Sequence, residues 1–155
     1  MSEGTVEQRL ADLGLTLPEV AAPLASYVPA VRSGAHVFTA GQLPLSSGEL
    51  VATGKVGGEV SAEEAQTAAR QCALNALAAV KSVVGSLDAV RQVVKVTVFV
   101  ASTPDFTGQP VVANGASELL GDVFGDAGRH ARSAVGVPVL PIDAPVEVEL
   151  VVEVD

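Results

Sequence analysis

Apolar and polar residues alternate most regularly at the C-terminal end of the chain. Val146, Val148, Leu150, Val152 and Val154 fall on one side, and Glu147, Glu149, Val151 and Glu153 on the other. A period of two is the mark of a strand with one buried face. The preceding stretch from His130 reads as a second strand, joined to the last by a Pro-bearing turn and expected to pair with it. Val90 to Val100 shows the same period, with Lys95 and Thr97 set against apolar neighbours. Between residues 61 and 85 the period changes. Ala65, Ala69, Cys72, Ala76, Val80 and Val83 recur at spacings of three and four, which predicts a helix. It opens on the capping box Ser61-Ala-Glu-Glu64 and stops at Gly85. Its stripe is mostly small residues, so it is expected to lie close against a sheet.

A second long helix is predicted from Pro110 to about Phe124, with Gly125 after it. A short first helix is predicted from Thr5 to Gly14. Thr5 and Gln8 have capping-box spacing, and Val6, Leu10 and Leu13 share a side. Residues 16–25 contain prolines and read as a crossing segment, and Tyr27 to Gly41 as two strands around a Ser33-Gly34 turn. Gly48, Gly54, Gly57 and Gly58 mark a loop region. The order helix, strands, helix, strand, helix, strands gives an α+β fold with helices on one face of a mixed or antiparallel sheet. Residues 1–155 are read as one domain, with no repeat or linker. The sheet's other face also carries apolar residues, which suggests burial by self-association.

Composition narrows the partners. The chain has 155 residues, 48% hydrophobic but only 3% aromatic, so its core is built from Val, Ala and Leu. The net charge of -9 and the lack of any Lys or Arg run argue against nucleic acid as a partner. Cys72 is the only cysteine; it excludes an internal disulfide and sits on the apolar helical stripe. His36, His130 and Cys72 have no metal-ligand spacing, so no metal is expected. Gly54-Lys-Val-Gly-Gly58 lacks the Gly-Lys-Ser/Thr ending of a phosphate loop. The first residues lack the basic start and apolar run of a signal peptide, and no apolar run approaches ~20 residues. A soluble cytoplasmic protein without membrane contact is expected.

The candidate chemistry lies on the last two strands. Arg132 stands alone on one, and the acids Glu147, Glu149 and Glu153 form a ladder on the other. Arginine grips a carboxylate with two parallel hydrogen bonds, and a glutamate nearby handles a proton or orients a water. The residues alone leave a second reading open, a structural salt bridge between Arg132 and the ladder. Glu147 alone reads equally as an exposed strand acid.

The ordered set Phe38-Thr-Ala-Gly-Gln-Leu-Pro44, Val94-Lys-Val-Thr-Val-Phe-Val100, Asp105-Phe106, Asn114, Ser117-Glu118, Ala131-Arg-Ser, Leu140-Pro141 and Val146-Glu-Val-Glu149 resembles the RidA/YjgF family of reactive-intermediate deaminases. That family also goes under the names endoribonuclease L-PSP and translation inhibitor. The resemblance spans about residues 27 to 154, and the N-terminal helix and longer middle loops resemble a longer-chain subgroup. It implies a chorismate-mutase-like fold, a homotrimeric barrel and active sites shared between subunits. It implies hydrolysis of 2-aminoacrylate-type enamines and imines to 2-keto acids and ammonia, without metal or cofactor. Position by position it implies Arg132 as the carboxylate anchor and Glu147 as the group at the attacking water, the two catalytic residues. Tyr27, Gly41, Asn114 and Ala134 fall on positions that line the pocket. The chain departs from the common pattern at Ala40, where serine is usual, at Ala134, where cysteine is usual, and at His130, where a small residue or proline is usual. Two other functions stay open: a non-catalytic trimer that binds small carboxylates, and an endoribonuclease.

Overall fold

A computed structural model describes residues 5–20 and 26–155. The expected crossing segment over residues 16–25 therefore falls partly outside the described residues. The short helix α1 spans Val6–Asp12, and the Thr5 side chain accepts a hydrogen bond from the Gln8 backbone N–H at 3.0 Å. The expected capping box is half formed, because the Gln8 side chain reaches forward to Asp12 instead. Leu10 is the residue that α1 buries.

The main sheet has five strands in the order β1-β2-β7-β5-β6. These are β1 (Ala30–Ser33), β2 (His36–Thr39), β5 (Val90–Ala101), β6 (Ala131–Val137) and β7 (Val146–Val154). A small hairpin, β3 (Leu45–Ser46) with β4 (Glu49–Leu50), lies in the glycine-marked loop region. β1, β2, β7 and β5 pair antiparallel in that order, and β5 pairs β6 in parallel. Antiparallel neighbours need only tight turns, whereas a parallel pair needs a long crossover. The helix α3 (Gln109–Phe124) supplies it.

The sheet order corrects one expectation. The last two strands are not paired: β5 lies between β6 and β7. A second correction concerns Tyr27, which was placed on an early strand. β1 begins at Ala30, and Tyr27 sits in a bend before it, 47% exposed.

The helix α2 (Ala62–Val84) opens on the predicted capping box, with both reciprocal hydrogen bonds present, and is closed by Gly85 at φ 86°. Its buried surface is wider than the predicted stripe. Ala65, Ala68 and Ala69 and every residue from Cys72 to Val80 are buried, while Val83 is exposed. The helix is buried on two sides, against β7 and against α3. The two helices approach so closely that a Cβ on Gly115 would overlap the Gln66 carbonyl oxygen. Small side chains permit this spacing, and helix and sheet then share one core of Val, Ala and Leu.

Val93, Val96, Val98 and Val100 of β5 and the even-numbered residues of β7 from Val146 to Val154 are fully or nearly fully buried beneath the helices. The opposite face of the sheet is open. It carries Val31, Phe38 and Val135, at 52%, 46% and 44% exposure, with Phe99 and Val151 between them. No described helix is long and apolar enough to cross a membrane.

Candidate functional site

Arg132 stands opposite Val96 in the β5–β6 register, so its side chain leaves the sheet on the helix-covered face. There it meets α3. Its Nη1 donates to Asn114 Oδ1 at 2.8 Å and to Ser117 Oγ at 3.1 Å. Asn114 and Ser117 are three residues apart and hence one turn apart on the same helix face. Nη2 makes a longer contact of 3.4 Å with the Pro110 carbonyl. Among the described residues Arg132 forms no ion pair, so the salt bridge to the acid ladder is not made. With Nη1 committed to two acceptors and Nη2 making only the long contact with Pro110, the Nε–Nη2 edge is the less committed side of the guanidinium, the side with the geometry to take a carboxylate.

The hydrogen bonding continues beyond Ser117. Ser117 Oγ lies 2.8 Å from His130 Nε2, and His130 Nδ1 lies 2.6 Å from the Gly128 carbonyl oxygen. Ala134 follows Arg132 at an interval of two and shares its face of β6, and His130 stands one residue before that strand begins. The sequence marked His130 only as a departure and Ser117 only as part of a matched segment. The helical spacing Asn114-x-x-Ser117 was the signal that could have placed Ser117 beside the arginine.

Glu147 lies elsewhere. It alternates with buried Val146 and Val148, stands opposite Phe99, and so leaves the sheet on the open face. It packs against the turn that follows β2, where a Cβ on Gly41 would overlap its carboxylate. That turn is pinned to β7 by two backbone hydrogen bonds between Gln42 and Val148. Burial raises the Glu147 pKa, and the Glu149 carboxylate on the same face raises it further. A carboxyl poised in this way can keep a proton at higher pH than an ordinary glutamate.

The expected site residues thus form two groups. Arg132, Asn114 and Ala134 gather with Ser117 and His130 between β6 and α3. Gly41 and Glu147 gather on the open face, on the far side of β5. Tyr27 bonds to neither group among the described residues. Cys72 is fully buried against the sheet, with Sγ 3.7 Å from the Val146 carbonyl oxygen. Burial pushes its thiol pKa well up, and Glu147 adds to that. No group of three described His, Cys, Asp or Glu side chains is placed to hold a metal ion.

Comparison with known proteins identifies the family and the fold. Residues 7–154 match the family model described as "YjgF/chorismate mutase-like, putative endoribonuclease". Protein TCP17 of Trypanosoma cruzi is 46% identical over 100% of this chain and 98% of its own length. A crystal structure of a protein of unknown function from Agrobacterium tumefaciens is 49% identical, covers 97% of this chain and 92% of its own, and superposes with a TM-score of 0.90. The E. coli protein TdcF, solved with bound serine, is 26% identical, covers 89% of this chain and 93% of its own, and gives a TM-score of 0.61. By its family match and its fold, the chain belongs to the RidA/YjgF family.

Proposed function

We propose that the protein is a hydrolytic deaminase of small 2-imino acids and their enamine tautomers, working as a homotrimer. The observation that carries this reading is Arg132, a guanidinium fixed through Nη1 by Asn114 and Ser117 and free of any ion pair among the described residues, which supports a role in taking a carboxylate. The bound serine of TdcF, an amino-acid carboxylate, is of the ligand class that such an anchor would take. The division of the site supports self-assembly. Arg132 and Glu147 leave opposite faces of one sheet, so a catalytic centre using both needs a second copy to bring one group to the other. The exposed apolar residues Val31, Phe38 and Val135 on the open face give such an assembly a surface to bury.

In this reading Arg132 holds the substrate carboxylate and sets the imine carbon in the cleft. Water adds to that carbon while the C=N nitrogen takes a proton. The resulting carbinolamine loses ammonia, and a 2-keto acid remains. Glu147 of the neighbouring copy takes the proton that the adding water loses and passes it to the imine nitrogen, then takes the carbinolamine hydroxyl proton as the C=O bond forms and gives it to the departing amine. Its raised pKa lets it hold a proton at higher pH than an ordinary glutamate, which suits a group that both takes and gives protons. Gly41 leaves room for the Glu147 carboxylate, and Tyr27 closes the cleft from the subunit edge.

The test generates 2-aminoacrylate in situ and follows its decay. Wild type should accelerate it, and Arg132→Ala should lose roughly 10- to 100-fold in kcat/KM, the size of a charged hydrogen-bonded contact. Equal rates for the two proteins would refute the deaminase. Carboxylate binding without turnover would instead identify a binding trimer. The polar groups missing at Ala40 and Ala134 make that the second reading to test. Light scattering at micromolar concentration should report a trimer, and a monomer would leave the site divided.

A further inference from the structure

The His130–Ser117 pair has no part in the proposed chemistry, yet it is wired to the arginine that does. The donor and acceptor roles along this path are fixed by elimination. A carbonyl oxygen only accepts, so the 2.6 Å contact with Gly128 places the imidazole proton on Nδ1. In the neutral ring Nε2 is then an acceptor, and its 2.8 Å partner, the Ser117 hydroxyl, must donate to it. With its proton spent on His130, Ser117 Oγ presents lone pairs to Arg132 Nη1 at 3.1 Å. The path runs from Gly128 to the guanidinium with each donor matched to one acceptor.

We propose that His130 is a positioning residue for the carboxylate anchor, acting through Ser117 to hold Arg132 with its Nε–Nη2 edge presented, and that protonating the imidazole loosens that hold. The inference rests on Arg132 being the ligand's anchor. A proton added at Nε2 turns that atom into a donor toward Ser117. The hydroxyl proton must then find another acceptor, and two cations face one another across a single oxygen.

The surroundings offer no competing partner for the ring. The charged residues on the packed elements are Glu118 and Asp122 on α3, Asp126 and Arg129 on the turn before β6, Arg91 and Lys95 on β5, and Arg132 itself. Among the described residues only Ser117 and Gly128 hydrogen-bond the imidazole. The Arg129 carbonyl is held by the Gln92 side chain, which helps fix the backbone on which His130 stands.

Two measurements test the proposal. In ligand-free protein, nitrogen NMR should show the Nδ1–H tautomer for His130 at pH 8. The Arg132 Nε signal should shift on acidification with the midpoint of the His130 ring and stop doing so in Ser117→Ala. An Arg132 signal that ignores the His130 titration overturns the proposal, whatever reaction the protein performs. In turnover of a 2-imino acid, His130→Ala should raise KM roughly three- to tenfold at pH 8, the scale of one lost hydrogen bond, with a smaller change in kcat. His130→Gln offers a non-titrating acceptor to Ser117. It should recover the KM and lack the rise that wild type shows between pH 8 and 5. Identical KM–pH curves for wild type and His130→Gln would also overturn the positioning role. If wild type does not turn over imines at all, the deaminase reading fails, and the NMR titration still decides the coupling.

Discussion

Replacing Glu147 by glutamine should make the protein more stable and less active at neutral pH. Glu147 is half-buried on the open face, with Glu149 two residues along the same strand face. Residues i and i+2 of a strand lie roughly 6.6 Å apart. At that distance two negative charges repel by roughly 0.6 kcal/mol in a fully aqueous dielectric and by roughly 2.5 kcal/mol at an effective dielectric of 20. Glutamine keeps the shape and removes that repulsion together with the desolvation of the carboxylate. At this chain length each kcal/mol moves Tm by about 2–4 °C, so Glu147→Gln should raise Tm by about 1–10 °C at pH 7.

The sign follows from the raised pKa. The folded state binds the Glu147 proton more tightly than the unfolded state does. Its contribution to stability is therefore fully present below the ordinary glutamate range and is lost as pH rises through the folded value. The advantage of Glu147→Gln should be greatest above that value and vanish below about pH 4. Thermal unfolding of both proteins from pH 4 to 8, with imine turnover at each pH, checks it. A Tm difference that is absent at pH 7, or constant across the range, would refute the electrostatic account of Glu147. Full activity in Glu147→Gln would refute its role in proton transfer.

Two glycines give independent checks. Gly41→Ala places a methyl group where the Glu147 carboxylate lies, so it should lower kcat more than it raises KM, while the circular dichroism spectrum stays that of the wild type. Gly115→Ala drives a Cβ into the Gln66 carbonyl oxygen between α2 and α3. It should cost about 1–3 kcal/mol, read as a fall in urea midpoint, and a neutral result would mean the helices separate without penalty.

Much of the fold was legible because its signals are local. The capping box at Ser61 and the stop at Gly85 bounded α2 to within a residue. The period of two along β7 assigned its buried and open faces correctly. The width of α2's buried surface was not legible. Ala68, Ala73 and Leu77 are buried because the helix lies between β7 and α3, and an alanine-rich sequence has the same pattern whether one side or two are covered. Tyr27 sits outside β1 because strand ends depend on which backbone groups find partners, and the segment's pairing with the next strand starts at the Pro29 carbonyl, which accepts from the Ala40 N–H at 2.8 Å.

By itself the sequence determined the kinds of element, the faces of β7, the candidate residue Arg132 and the family pattern around it. These are properties of neighbouring residues and of side-chain chemistry. Tertiary structure decided where Arg132 and Glu147 point. Residues 138–145 carry the chain past β5, so β7 pairs with β5 and β2 rather than with β6. The α3 crossover fixes β6 parallel to β5, and the register opposite Val96 turns Arg132 toward Asn114 and Ser117. Strand alternation says which residues share a face within one strand. The relation between faces of different strands is set by pairing and register, and those exist only once the sheet is assembled.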